Sequence, residues 1–525
     1  MEERVYFTSL TPVNYLFRSA MVFPEKTAVV YNDQRFTYQE FYDRAQMLAS
    51  ALKNEGIEKG DRVAFLSPNI PPLLEGHYGV PLAGAILVAI NVRLAPQEIL
   101  YILNHSGSKI LFVDTAFYNL IEPIKNELEA LQKVVLIIDE ENTQEENLED
   151  YERFIHKGQV EHLEVPLQDE NETITINYTS GTTGKPKGVM YTHRGAYLNA
   201  MGEALETKMD SSSNYLWTLP MFHCNGWCFT WGVTSVGGTH YCLRGIEPDI
   251  IFDLIENEKI SHLCAAPTVL IALTNSPRSM EININHRLDI ITAGAPPSPT
   301  VIQDIENMGA VITQVYGLTE TYGPHSICKW KPEWDNLPSD EKAILKARQG
   351  VPYIHALEMR VVDENMEDVP ADGKTMGEVI MRGNNVMKGY FLDEETTREA
   401  FRGGWFHSGD LAVMHENKYI EIKDRKKDII ISGGENISTV ELENVLFKHP
   451  EVQEVAVVGM PHEKWGEVPK AYVTPMPGSN PSEEDIIEFC RENLARYKCP
   501  KAVEFAELPK TSTGKIQKYM LRQKE

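Results

Sequence analysis

The sequence predicts two units in tandem, a large amino-terminal α/β domain of layered sheets and helices and a small α+β domain after it. Three observations carry that expectation. Short β-rich runs alternate with segments of helical period over residues 28–200, as in folds that layer helices on a largely parallel sheet. The chain has 525 residues, more than one hydrophobic core normally serves. A charged stretch, Lys423-Asp424-Arg425-Lys426-Lys427-Asp428, separates two regions of different texture. Hydrophobic residues make up 42% and charged residues 24%, which excludes disorder, collagen-like repeats and a coiled-coil rod.

Thr27-Ala28-Val29-Val30-Tyr31 and Arg62-Val63-Ala64-Phe65-Leu66 read as strands. Between them, residues 37–53 place Phe41, Ala45, Leu48, Ala49 and Leu52 on one helical stripe. Residues 110–113 and 134–138 are unbroken apolar runs, as expected of strands covered on both faces. The alternation continues through Val311-Ile312-Thr313-Gln314-Val315. Residues 139–169, rich in Glu, Asp and Gln, read as an exposed connection, and the polar stretch 330–350 as a surface excursion. After about residue 355 strands shorten and glycine turns multiply. Past the charged stretch come a helix near 438–448, a strand at 452–458, a helix near 482–496 and a basic tail. The boundary is placed in the charged stretch, giving domains 1–426 and 427–525.

Lys plus Arg number 50 and Asp plus Glu 76, a formal charge of −26. Such a field repels phosphate backbones and anionic membranes, so neither nucleic acid nor a lipid surface is an expected partner. No basic-then-apolar leader opens the chain, and the apolar region 78–92 is too short and too broken by Pro81, Gly84 and Asn91 for stable membrane insertion. The last residues, Gln523-Lys524-Glu525, are not a peroxisomal address. Seven scattered cysteines suit a reducing compartment. A cytoplasmic enzyme is the expectation.

The densest chemical signal is Tyr178-Thr179-Ser180-Gly181-Thr182-Thr183-Gly184-Lys185-Pro186-Lys187-Gly188-Val189. Its glycines let successive backbone amides turn toward one anion, its hydroxyls can donate to phosphate oxygens, and its lysines offset their charge. It is not a Walker A loop, because Pro186 follows Lys185 where Ser or Thr is required.

At this string the chain resembles the adenylate-forming superfamily: acyl-CoA synthetases, adenylation domains of peptide synthetases and firefly-type luciferases. Further segments follow in the family's order: Tyr316-Gly317-Leu318-Thr319-Glu320, Gly404-Trp405-Phe406-His407-Ser408-Gly409-Asp410, Asp424-Arg425-Lys426-Lys427-Asp428 running on to Ser432-Gly433-Gly434-Glu435-Asn436, and Pro509-Lys510-Thr511-Ser512-Thr513-Gly514-Lys515. Each is modest alone; in register they are specific.

The resemblance implies that Thr179, Ser180, Gly181, Thr182, Thr183, Gly184 and Lys187 grip phosphates, with Gly294, Ala295, Gln314, Tyr316, Gly317 and Thr319 on the nucleotide side. Tyr316 offers a ring for adenine to stack on. Glu320 and Thr183 would hold Mg²⁺, Asp410 would accept the ribose hydroxyls, and Arg425 would lie near ribose and phosphate. Lys515 would neutralise carboxylate and α-phosphate during adenylation. Lys427 would be the hinge of a mobile lid that brings Gly433, Gly434 and Glu435 toward CoA. Gly294, Gly317, Leu318, His223 and Trp227 would line the acyl pocket.

The resemblance thus implies an ATP- and Mg²⁺-dependent ligase that joins a carboxylic acid to CoA through an acyl-adenylate. Short or medium aliphatic acids, including methylthio-alkanoates, are favoured because Phe222 and Trp227 can fill a pocket. Long-chain and aromatic acids are the alternative. In residues 222–228 no Asp stands where amino-acid-activating relatives hold an amino group. Rivals are an acyl-AMP ligase loading a carrier protein, a luciferase-type oxygenase and a nucleotide sensor without catalysis. A peptide-synthetase module is disfavoured because no carrier domain follows Lys515. Cys224, Cys228 and Cys242 with His223 and His240 fit no common zinc spacing, and their apolar flanks mark buried thiols. A homodimer is compatible with all of this.

Overall fold

The computed structural model describes residues 7–139, 148–179, 185–294, 299–356, 358–433, 435–510 and 516–525. Two large mixed sheets dominate. In the nine-stranded sheet the spatial order is Val351–Pro352, Gly323–Ile327, Val311–Leu318, Asp289–Thr292, His262–Ala265, Asn214–Leu216, Thr239–Tyr241, Thr27–Tyr31, Gln34–Thr37. Its inner strands are parallel, and antiparallel pairs close both ends. The eight-stranded sheet runs Gly389–Tyr390, Lys187–Thr192, Thr173–Thr179, Ile86–Ala89, Arg62–Leu66, Ser108–Asp114, Lys133–Ile137, Glu149–Asp150. It too is parallel except where Thr173–Thr179 turns back onto Lys187–Thr192 and on to Gly389–Tyr390.

The helix Tyr38–Asn54 shows how local sequence sets these layers. Thr37 caps it, accepting from the Glu40 amide while the Glu40 carboxylate accepts from the Thr37 amide. Its buried face contains Phe41, Ala45, Leu48, Ala49 and Leu52, the stripe expected from the sequence. One continuous apolar cluster includes Phe65 and Phe112 of the eight-stranded sheet, Val29 and Trp217 of the other side, and Trp231 between them. The two sheets therefore share a core.

The acid-rich stretch 139–169 differs from expectation. Glu149–Asp150 extends the sheet edge, and helix Tyr151–Ile155 buries Tyr151, Phe154 and Ile155. Both aromatics pack edge-on against Phe112. Their i, i+3, i+4 spacing makes one apolar face that the surrounding acids conceal. In 330–350 the chain likewise forms the helix Ser339–Lys346.

An antiparallel sheet of Glu358–Val362, Met376–Arg382, Phe406–Met414 and Ile420–Arg425 leads to the smaller unit. That unit has its own five-stranded sheet, beginning at Ile430–Ser432 and built around the hairpin Val452–His462 with Gly466–Pro475. Helices Thr439–Leu446 and Glu483–Asn493 cover it, with Ile430, Leu442, Leu446, Val455, Val473 and Ile486 in a separate core. All seven cysteines are free and buried. Among the described residues no helix is long and apolar enough to cross a membrane; the apolar region 78–92 is split between helix Pro71–Leu82 and strand Ile86–Ala89.

Candidate active site

Three segments distant in sequence meet at Asp410. Strand Val311–Leu318 delivers Tyr316, whose hydroxyl donates to Asp410 Oδ2 at 2.8 Å. Strand Phe406–Met414 carries Asp410 itself, which pairs in register with Arg425 on Ile420–Arg425. Arg425 Nε reaches Asp410 Oδ1 at 3.0 Å. The carboxylate is buried and raises the Arg425 guanidinium above its ordinary value. Burial first, and Asp410 second, raise the Tyr316 hydroxyl, so it stays protonated and donates. Each Asp410 oxygen spends one lone pair on the protein and keeps another for a ligand.

Asp289–Thr292 and Val311–Leu318 are parallel neighbours, and their carboxyl ends form the kind of crevice where open α/β sheets bind ligands. Two buried polar atoms there have no partner, Thr292 Oγ1 and Gln314 Oε1. Gly294 is exposed with φ +96°, and nothing lies within 4 Å of a Cβ added there. Gly317 answers a tighter demand: a Cβ would sit 1.8 Å from the Gly323 carbonyl oxygen of the paired strand.

Glu320 follows on the short turn Thr319–Thr321, and its Oε1 accepts from Tyr390 at 2.8 Å. Lys187 Nζ lies 5.0 Å from the centre of the same Tyr390 ring. Thr179 pairs with Lys187 in register, so the strands on either side of the glycine-rich string are antiparallel neighbours. Ser180, Gly181, Thr182, Thr183, Gly184, Ala295, Gly434 and Lys515 lie outside the described residues.

Thr319 ties this group to the expected acyl pocket. Its carbonyl accepts from Tyr191 at 2.7 Å and its hydroxyl from Cys224 Sγ at 3.3 Å. Leu318 is half-buried beside them, its amide donating to Thr321 Oγ1 at 2.8 Å. The segment after half-buried His223 has an unusual backbone. Cys224, Asn225, Gly226, Trp227 and Cys228 have φ of 50°, 44°, 56°, 53° and 65°, a full left-handed turn. Such a turn costs roughly 1–2 kcal/mol for each residue that carries a Cβ. Gly226 is required for a second reason, since a Cβ there would meet the Trp217 ring at 2.5 Å. Trp227 lies against Gly323, where an added Cβ would come within 2.6 Å of its indole. Burial pushes the Cys224 thiol up to about 12.

Lys427 lies between Ile420–Arg425 of one sheet and Ile430–Ser432 of the next. Asp424 Oδ2 accepts from the Thr439 amide at 2.6 Å and hydroxyl at 2.7 Å, and Ser438 Oγ donates to the Lys423 carbonyl at 2.7 Å. Arg522 donates to the Lys427 carbonyl and pairs with Asp428, both at 2.6 Å. Gly433 has φ +61° and opens the turn that pairs Ser432 with Glu435. Among the described residues no hydrogen bond or ion pair joins Gly433 or Glu435 to the Tyr316–Asp410 group. Sequence reasoning missed Tyr390 and the buried side chains that grip Asn225. Nothing in their local sequence sets them apart from ordinary strand and helix residues.

The chain matches the AMP-binding enzyme family over residues 16–391 and the AMP-binding enzyme C-terminal domain over 441–515. It is 48% identical over 523 residues to 4-hydroxybutyrate–CoA ligase 2 of Metallosphaera sedula, covering 98% of this chain and 95% of that protein. To the acetate/butyrate–CoA ligase AAE7, peroxisomal, of Arabidopsis thaliana it is 45% identical over 99% of this chain and 95% of that one. Among solved structures, the anthranilate CoA ligase AuaEII in complex with anthranoyl-AMP superposes with a TM-score of 0.87 at 26% identity, covering 99% and 98% of the two chains. The o-succinylbenzoate CoA synthetase of Bacillus subtilis in complex with ATP and magnesium gives 0.82 at 28% identity over 97% and 99%. With body and C-terminal segments matched in order, and relatives matched along nearly their whole length, this chain belongs to the AMP-binding, adenylate-forming enzyme family.

Proposed function

We propose that the protein is an acid–CoA ligase that uses ATP and Mg²⁺ to activate a short aliphatic carboxylic acid. A carboxylate oxygen attacks the α-phosphorus of ATP, the bond to pyrophosphate breaks, and an acyl-adenylate remains. The CoA thiolate then attacks the acyl carbon and AMP leaves. The observation that carries this reading is the convergence of Tyr316 and Arg425 on buried Asp410, which leaves one lone pair on each oxygen for a ribose diol. Gln314 Oε1, buried and unpartnered, is an acceptor for an exocyclic amine of adenine. The Tyr316 ring is half-buried and would supply the stacking surface for adenine.

Glu320 fits a Mg²⁺ ligand, because Tyr390 holds one carboxylate oxygen and the other has no hydrogen-bond partner among the described residues. Bound there with Thr183, the ion would offset phosphate charge. The chain's own part is to fix that carboxylate through Tyr390, whose ring Lys187 also meets. Lys515 would neutralise the two anions in the first half-reaction. Rotation about Lys427 would then withdraw it and bring Gly433, Gly434 and Glu435 to CoA. His223, Trp227, Gly294, Gly317 and Leu318 would enclose the acid. Relatives named for 4-hydroxybutyrate, acetate and butyrate support a short substrate. The free, buried cysteines support a reducing compartment, and we place the protein in the cytoplasm.

The test is pyrophosphate release over straight-chain acids from C2 to C16, 4-hydroxybutyrate, benzoate and cinnamate, with and without CoA. Highest kcat/KM among the short acids, with AMP release dependent on CoA, is expected. Acyl-adenylate that passes only to a carrier protein, or oxygen uptake in place of thioester formation, would overturn it.

A further inference from the structure

The left-handed turn at residues 224–228 is expensive backbone, and one fully buried side chain holds it. Asn225 Oδ1 accepts from Thr175 Oγ1 at 2.5 Å and from Asn177 Nδ2 at 2.6 Å. Its own amide nitrogen donates to Asn177 Oδ1 at 3.1 Å, and its carbonyl accepts from Thr230 Oγ1 at 3.2 Å. On the remaining side, Asn225 Nδ2 meets His77 Nε2 at 2.9 Å. The other His77 nitrogen, Nδ1, faces the Leu73 carbonyl at 2.8 Å. A carbonyl can only accept, so Nδ1 carries the proton and Nε2 accepts from Asn225. Every member of the set is buried and uncharged, and each bond runs in a defined direction.

Thr175 and Asn177 are two apart on strand Thr173–Thr179 and so face the same way. That strand runs directly into the glycine-rich loop. The rod that carries the phosphate loop is therefore the rod that grips Asn225. Trp227, two residues beyond Asn225, has its carbonyl taken by Asn199 Nδ2 at 3.3 Å and its indole seated on Gly323.

We infer that Asn225, gripped by Thr175, Asn177 and His77, is a specificity-determining positioning residue: it holds the left-handed turn, and through it Trp227, in the one placement that favours short acids. The inference rests on Trp227 as the pocket wall. The experiment measures kcat and KM for acetate, butyrate, hexanoate and octanoate, and KM for ATP, in wild type, Asn225→Ala, Thr175→Val, Thr175→Ser and Trp227→Ala. Folding of each is checked by denaturant titration, and Thr175→Val decides if Asn225→Ala does not fold. Asn225→Ala and Thr175→Val are expected to raise the butyrate KM about tenfold with the ATP KM unchanged. Both should lift the octanoate-to-butyrate ratio of kcat/KM about tenfold, in the direction of Trp227→Ala. Thr175→Ser keeps the hydroxyl and should keep the wild-type ranking. An unchanged ranking in Asn225→Ala and Thr175→Val beside a shifted one in Trp227→Ala overturns the inference and leaves Trp227 as wall. A ranking that Trp227→Ala does not move removes the wall, and the inference with it.

Discussion

The turn at residues 224–228 and the joint at residues 426–429 are both short pieces of backbone on which the proposed chemistry depends, and they are held by opposite means. Neutral, buried side chains hold the turn, and each polar side-chain atom of Asn225 has a partner among them. Charged groups hold the joint: Asp424 against the start of helix Thr439–Leu446, and Arg522, 28% exposed, against Asp428. Breaking the neutral network leaves polar atoms buried without partners, whereas at the joint the Arg522 side chain is part-exposed and can turn to water, although its partner Asp428 Oδ1 is buried. The difference matches the duties assigned to each: selection of the acid demands one geometry, and alternation between half-reactions demands two.

The largest effect that sharpens this contrast is on the lid side. Lys515→Ala should lower adenylation by about 10²–10³, the worth of one donor at a developing charge. It should leave thioester formation from supplied acyl-adenylate, and the ranking of acids, largely intact. Equal loss in both half-reactions would contradict its role.

Acid should weaken the turn. Burial holds His77 near pKa 4 in the fold, against 6.5 for an unperturbed imidazole. The unfolded chain therefore takes up this proton first as pH falls. Stability that is complete above pH 6.5 drains away down to pH 4, by about 3 kcal/mol for this group. Urea titrations at pH 7 and pH 5 should show a smaller drop for His77→Gln, which can still accept from Asn225 and donate to Leu73. Parallel drops would break the link between His77 and the acid response.

Gly323→Ala tests the seat of Trp227. A Cβ 2.6 Å from the indole, at φ +103°, should cost about 2 kcal/mol through overpacking and strain. Displacement of the indole should raise the acid KM while sparing the ATP KM, and a normal acid KM would show that Trp227 is not read by the substrate.

At the joint, Lys427→Pro should slow thioester formation about tenfold and spare pyrophosphate release, because proline fixes φ near −65° where the proposed hinge would rotate. Smallest in its effect on turnover, Arg522→Ala should cost about 1–3 kcal/mol in stability, because it leaves the buried Asp428 Oδ1 without its cation. Its effect on the balance of half-reactions should fade at 1 M salt, where screening shortens to about 3 Å. A ranking of acids that moved with salt would erase the contrast between the two regions.

Much of this molecule is legible in its sequence. The helix after Thr37 announces itself by its cap and its stripe, and Tyr316, Asp410 and Arg425 lie in separate motifs that the fold brings into contact. Their register along the chain carried the assignment that no single motif could. What stays hidden is hidden for physical reasons. Asn225, Asn177 and Thr175 are ordinary polar letters in sequence, and only the crossing of a strand, a helix and a turn makes them partners. In the turn only Gly226, and more weakly Asn225, hint at a left-handed path. The hairpin strand Val452–His462 runs past the expected end at 458 because Gly459 to His462 continue to pair with the facing strand, a contact made by the partner and not by local propensity.

The buried thiols have a practical consequence. Thiol-directed dyes react with the thiolate, and burial both shields the cysteines and disfavours that form, up to about 12 for Cys224, Cys328 and Cys490. Native side chains thus offer such a dye no ready target at neutral pH. Single substitutions at exposed sites, Glu58→Cys on the large body and Glu492→Cys on the small one, would place a fluorescent pair on an otherwise natural background. The proposed swing of one unit against the other would then be read as a distance in a single working molecule.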